Sequence, residues 1–515
     1  MHLAKCSECN LFSFIHLAKC SECNLSFFLL RFLVLDDRPS ESSEMSNDRP
    51  SLVGSSKFRN GMEYMQNVMD NLGTSKIDST AILLKSYEKK QEAATYFNLK
   101  PAIVIEIGGR WTRYGMSGEY HPRGLLNSIV VNPDDGKKVH WLCNGLPKEQ
   151  KQCLILSMMK TIVNRFMLHN GGEGRLVIVE NILTPSADRQ LLVDTVFEHR
   201  SLMVTDVLLV PAPITTTMAY GTNTALVVNI GYNETTVYPV CDQVILLGFS
   251  EQSDVGSKYF LGQIRDYFDI CGKVKLEDGT LEDLNYEDLD EFDRTNFAED
   301  IASGLCVVSN TSRGSLLRNW SYEKKEDHIK FMPNYELPLG KKILIVSGFI
   351  REAAAECFFT PEKYNDRPSL PELVYKCLKN CPIDYRKKLV SRIIVTGGPS
   401  ELKGMFPRIR NELKKLLEER ENGALNSLIN EVRFLTIPGN GPDVPISRFD
   451  AWIGGAIYGS ISNYSHKVLK NQDYAKNKKL SDWTDIVDNY KVPIPVDCKI
   501  SEVEHVLAVN LKEVL

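Results

Sequence analysis

The sequence lacks an excess of positive charge: 61 Lys and Arg stand against 66 Asp and Glu, for a net charge of -5. That excludes a nucleic-acid binder working through bulk cationic charge. Cysteine is sparse, 13 in 515 residues with nine of them scattered, which excludes a secreted disulfide scaffold and points to a reducing compartment. The apolar run Leu25–Leu35 has only eleven residues and contains Arg31, whereas a membrane span needs about 20. Its polar, Cys-containing flanks and the want of a small-residue cleavage site separate it from a signal-peptide core. No basic localisation cluster stands out, and Arg386–Lys388 is too short to count. At 43% apolar and 25% charged residues, collagen-like, low-complexity and wholly disordered readings fail. What remains is a soluble globular chain whose length, at about 100–200 residues per domain, predicts two to four domains.

The first ninety-eight residues differ from the rest. His2–Leu11 repeats letter for letter at His16–Leu25, giving the pairs Cys6/Cys9 and Cys20/Cys23. Four thiolates at such spacing are able to close a tetrahedron around zinc. An identical repeat is better explained by duplicated sequence or an over-extended gene model, because two halves of a metal site need no identical flanks. No metal site is assigned. Asp36–Lys57 is rich in Ser, Asp, Arg and Pro and reads as a disordered linker, with Met45 as a plausible start. One helix is expected around Met62–Leu72.

From Pro101 the signals are regular. Pro101–Gly109 is a β-rich run ending in two glycines, followed by Thr112–Glu119, which predicts a hairpin with a backbone-exposing tip. Arg175–Glu180 predicts a buried strand. Thr184-Pro185 then opens a helix to about Arg200, with proline at the first helical position and Leu191, Leu192 and Val196 facing inward. Val207–Pro211 and Ala225–Asn229 are further strands, so the order is that of βαβ units with a parallel core. Ala225–Val240 repeats the glycine hairpin. Two such hairpins opening two α/β stretches imply a duplicated fold. A third glycine turn, Ile393–Met405, leads into a helix with Ile409, Leu413, Leu416 and Leu417 on one face. Phe449–Gly459 carries paired glycines that let a helix approach its neighbours closely.

Taken in order, the first hairpin, Val179–Glu198, the second hairpin, Tyr335–Ile343, Cys381–Gly398 and Trp452–Ser460 resemble the actin superfamily from about Ile103 to Asp485. Within it, Gly231, Tyr232 and Glu234 of the second hairpin and the tail Asn471–Trp483 look most like the actin-related subunit of the dynactin pointed-end complex. The resemblance implies an α/β, actin-like two-lobed fold of duplicated mixed sheets flanked by helices. The boundaries expected from it are an N-terminal extension at 1–98, a first lobe at 99–221 with a reduced insertion near 131–145, and a second lobe at 222–443 with an inserted subdomain at about 258–372. Residues 444–515 return to the first lobe and form the tail.

The resemblance also implies the cleft residues. In actins the hairpin backbones cradle phosphates and carboxylates at their bases hold hydrated Mg²⁺. The matching positions here are Glu106, Gly108, Gly109 and Arg113 in the first hairpin, Asn229 and Gly231 in the second, and Gly397 and Gly398 at the adenosine-side turn. Glu106 keeps the charge, whereas Asn229 has lost it. Gly109 replaces a hydroxyl, Arg110 stands where glycine is usual, and Ala212 takes the place of the water-orienting glutamine. Glu299, Ala302 and Ser303 alter the positions that hold base and ribose. These losses favour a cleft in which no cofactor is required, ATP or ADP being the nucleotide that a degenerate cleft would hold.

Val131–Asn144 is too short for the inserted subdomain through which actin subunits stack at the pointed end. The expectation is a non-catalytic cytoplasmic, cytoskeletal subunit that caps the pointed end of dynactin's filament of actin-related protein 1. It would contact the other pointed-end subunits and support dynein-driven microtubule transport indirectly, with no nucleic-acid partner. Two other readings are an ATP-hydrolysing member of the wider fold and a nuclear actin-related subunit of a chromatin remodeller. The first needs the carboxylate missing at Asn229, and the second tends to use long insertions. Leu276–Asp300, with eleven acidic residues against one basic, reads as a solvated insertion ahead of a dock for a basic partner.

Overall fold

A computed structural model of the chain describes residues 101–167, 174–319, 329–361, 366–419, 423–436, 448–460, 467–481 and 483. The repeated cysteine pairs, the helix expected at 62–72 and the last part of the tail lie outside the described residues. Apart from Ser460, the described elements belong to one unit, residues 101–459 and 464–515.

The first half begins with β1 (Ile103–Ile107), an apolar run that lies inside its sheet with both faces covered. It pairs antiparallel with β2 (Trp111–Met116), placing Glu106 opposite Arg113, and β3 (Gly124–Asn127) extends the sheet from β2. β4 (Ile129–Val131) and β5 (Lys138–His140) then form a separate two-stranded ribbon, followed by α1 (Lys148–Lys160). β6 (Gly174–Glu180) runs parallel to β1. α2 (Ser186–Glu198) carries the chain to β7 (Val204–Pro211), parallel to β6, and α3 (Ala212–Ala219) follows at once. Leu191, Leu192 and Val196 are buried as expected. Pro185 stands at the N-cap of α2 rather than inside its first turn, because its ψ of 139° is extended.

The second half repeats the plan. β8 (Ala225–Ile230) and β9 (Thr235–Cys241) form the second hairpin, with β10 (Val244–Ile245) and β11 (Glu251–Ser253) also on β9. A large outgrowth follows: α4 (Ser257–Cys271), β12 (Lys273–Lys275), β13 (Leu281–Asp283), α5 (Tyr286–Thr295), α6 (Phe297–Gly304), α7 (Thr311–Asn319), β14 (Tyr335–Leu339) and β15 (Lys342–Val346). Its four strands make a sheet of order β13-β12-β15-β14. α8 (Gly348–Ala353), α9 (Leu370–Asn380) and α10 (Ile383–Val390) lead to β16 (Ile393–Thr396), which runs parallel to β8 as β6 does to β1. In α11 (Met405–Glu419), Ile409, Leu413 and Leu417 are buried and Leu416 packs partly against them.

The chain then returns to the first half. α12 (Asp450–Ser460) lies so close that a Cβ on Gly454 would sit 1.7 Å from the carbonyl oxygen of Thr215, and one on Gly455 would meet Val179 and Val104. Trp452, fully buried, donates its indole N–H to the Val104 carbonyl at 3.2 Å. β17 (Leu469–Lys470) adds to the free edge of β7, and α13 (Asn471–Asn477) docks through Tyr474, whose hydroxyl meets Asp194 at 3.0 Å.

Two buried ion pairs sit off the central cleft. Lys151 meets Asp188 at 2.5 Å in the first half. In the second, the fully buried Arg408 contacts Glu356 through two nitrogens at 2.9 and 3.0 Å, Glu412 at 2.9 Å and the Ser309 carbonyl at 2.7 Å. The acidic run 276–300 is partly consumed internally. Asp283 pairs with Lys273 at 2.8 Å, Asp288 with Lys342 at 2.8 Å, and Asp293 with Arg265 at 2.9 Å. Asp288 also closes a capping box with Asn285 at the start of α5.

Candidate functional site: a cleft between two glycine hairpins

Both hairpins end in glycine turns because a side chain would strike the returning strand. A Cβ on Gly108 would lie 2.6 Å from the Trp111 carbonyl oxygen, and one on Gly231 would lie 2.9 Å from that of Glu234. Gly397 adopts φ 96° and would crowd the Ile230 carbonyl at 2.1 Å if it carried a Cβ. These three turns converge on a cavity of about 600 Å³. Glu106, Gly108, Gly109, Arg113, Asn229, Gly231, Gly397 and Gly398 all line it, as do Ala212, Glu299, Ala302 and Ser303.

The floor is an ion pair. Glu106 and Arg113 face each other across the first hairpin and share a short contact, with 13% and 17% of their side chains exposed. Burial pushes the Glu106 carboxyl above its usual range, and the Arg113 guanidinium opposes that shift. Oε2 of Glu106 and Nε of Arg113 make no hydrogen bond in the structure. Asn229 faces Thr236 across the second hairpin and contributes no charge. Tyr238, also on the wall, has its phenol pushed up to about 12 by burial.

Three groups that the sequence reading did not connect shape the mouth. Arg110 reaches from the first tip to Glu299 on α6, Nε to Oε1 at 2.6 Å, and its Nη1 meets Asn127 at 3.0 Å. Asn181, just after β6, donates to Glu234 of the second tip at 2.8 Å. His140, the last residue of the ribbon, touches the Gly108 carbonyl through Nε2 at 3.2 Å. Its Nδ1 accepts the backbone N–H groups of Leu142 and Cys143 at 3.1 and 2.9 Å, so Nε2 carries the proton. Burial lowers the His140 pKa, with the Gly108 carbonyl and Asp188 opposing, which keeps the ring neutral. Beside it Trp141 is fully buried and donates to Thr112 at 2.9 Å, tying the ribbon to β2. A lone histidine between a lysine-rich turn and a tryptophan carries no sequence signal for such a role.

Hydrated Mg²⁺ bridging a triphosphate asks for anionic ligands and open space between the tips. Here the Glu106 carboxylate is paired through one oxygen with Arg113, and the other position is the neutral Asn229. The residues present do not fit that group. Among the described residues there is no cluster of three or more His, Cys, Asp or Glu side chains placed to hold a metal.

Two α/β halves that repeat one hairpin-led plan and meet at a cleft define a two-lobed, duplicated α/β class. The chain belongs to the actin family: the model of that family, described as Actin, matches residues 98–480. It is 23% identical over 420 residues to actin-related protein 10 of Dictyostelium discoideum, covering 73% of this chain and 86% of the relative. It is also 23% identical over 425 residues to actin-related protein 3 of Oryza sativa, from both the indica and japonica subspecies, covering 73% of this chain and 95% of the relative.

Proposed function

We propose that this chain is a non-catalytic actin-related subunit that terminates the pointed end of a filament of actin-related protein 1 within dynactin. It acts in the cytoplasm as part of the cytoskeleton and supports dynein-driven microtubule transport through its fellow pointed-end subunits. The eight cleft residues, from Glu106 to Gly398, serve here as turn and floor residues of the scaffold. The observation that carries the reading is the outgrowth of the first half. Between β3 and α1 the chain builds only the ribbon of β4 and β5, three residues per strand, before returning to the body. A head-to-tail filament grows by a heterologous contact that each subunit must offer on both faces. A subunit with an intact body and a minimal outer face joins at one face and offers little at the other. Similarity to actin-related protein 10 supports the same reading, as does the poor fit of the cleft to a magnesium nucleotide.

The test is assembly. Purified chain is expected to stay unpolymerised and, added to preformed filaments of actin-related protein 1, to stop growth at the pointed end. Homopolymers, or pointed ends that keep growing at saturating chain, would end the proposal. Affinity purification of the tagged chain separates the readings further, since remodeller subunits in place of dynactin subunits would move the protein to the nucleus.

A further inference from the structure

The cleft supports an inference that does not depend on capping. A cleft between two halves is ordinarily bridged by what binds in it. Both tips line one cavity, and they come close to each other at one point. A Cβ placed on Gly109 would lie 3.1 Å from Nδ2 of Asn233 and 3.2 Å from Cβ of Tyr232, so the second tip leaves little room for a side chain there.

Around this point run two polar tethers from separate segments. Arg110 leaves the first tip, lies over the Trp111 ring at 4.9 Å, and meets Glu299 at 2.6 Å, with only 17% and 29% of the two side chains exposed. The pair joins positions 189 apart in sequence, one in each half. Asn181 reaches from the end of β6 to Glu234, 53 residues on, at 2.8 Å. A half-buried arginine–carboxylate contact is worth more than a solvent-facing one, because less water competes for it.

We propose that these contacts form a built-in clasp: Arg110–Glu299 and Asn181–Glu234 hold the halves closed in the place where a magnesium nucleotide would otherwise bridge them. The closed arrangement is then constitutive, and neither nucleotide nor divalent metal is needed to reach it.

Hydrogen exchange and melting of the full-length protein, cleared of metal and nucleotide by chelation and desalting, provide the test. Adding ATP with Mg²⁺ in millimolar excess is expected to leave the melting temperature and the exchange of peptides 106–112 and 230–236 unchanged. A ligand that binds the folded state well above its Kd would raise the melting temperature by several degrees. Arg110→Ala and Glu299→Gln should each speed exchange at both tips about tenfold or more, as expected for loss of a hydrogen bond between charged groups. The swap Arg110→Glu with Glu299→Arg should recover part of that protection. If Arg110→Ala does not fold, the isosteric Glu299→Gln and the separate Asn181→Ala report on the two tethers. Protection of the wild-type tips by ATP and Mg²⁺ overturns the clasp, and so does unchanged tip exchange in Glu299→Gln and Asn181→Ala.

Discussion

The two halves start from one design and diverge outward. In each, a hairpin strand pairs antiparallel with its partner and parallel with a later strand, β1 with β6 and β8 with β16. Beyond that shared base the first half extends a ribbon of six strand residues. The second builds a four-stranded sheet with several helices around its own aromatic and aliphatic core. The base is constrained by packing: its strands are buried runs, and its turns admit only glycine where backbones meet. The outgrowths are bounded by solvent and are free to shrink or expand. The two halves therefore differ where packing constrains least.

The same contrast governs what substitution would do, and the largest effect is expected in the second half. Arg408 binds Glu356, Glu412 and the Ser309 carbonyl and has no exposure, so Arg408→Leu strands Glu356 inside the protein and should cost about 3–5 kcal/mol. Hydrogen exchange should then accelerate first in α7, α9 and α11. Equal acceleration in the first half would mean that the halves unfold as one and would blur the contrast drawn above. Gly454→Ala addresses the shared base. Its methyl has no room against the Thr215 carbonyl, and α12 must shift, at about 1–3 kcal/mol by denaturant midpoint. A neutral result would mean that the base tolerates change as readily as the outgrowths.

The smallest effect concerns the ribbon and depends on pH. The folded protein keeps His140 neutral, with its pKa below the usual 6.5. The unfolded chain takes up a proton there that the folded chain refuses, so stability rises with pH across that window and falls as pH drops below it. His140→Gln should cost about 1 kcal/mol near pH 7.5, the worth of a hydrogen bond. The gap to wild type should narrow as pH falls below the usual 6.5, where the unfolded chain gains a proton that the folded ring refuses. A gap that widens on acidification would show the ring to be charged in the folded state. Trp141, not His140, would then be what holds the ribbon to β2.

How legible all this was depends on the range of the interaction. Strands such as Ile103–Ile107 and the face of Ile409, Leu413 and Leu417 follow from local periodicity, and the structure has them as expected. The eight cleft residues meet at one cavity because each sits in or beside a turn whose glycine need is itself local. Arg110 and Glu299 were each conspicuous as departures from the actin pattern, yet nothing in a linear string pairs positions so far apart. The sheet of β12 to β15 was hidden for another reason. Leu281–Asp283 is exposed throughout, so its pairing leaves no alternation to read.

β17 has a consequence for synthesis. The chain leaves the ribosome amino end first, and the first-half sheet keeps β7 as an open border until Leu469 and Lys470 arrive to cover it. Trp483 comes later still, seating its indole N–H on the Leu209 carbonyl at 2.6 Å. For most of translation the nascent protein thus carries an uncapped strand, inviting stray pairing.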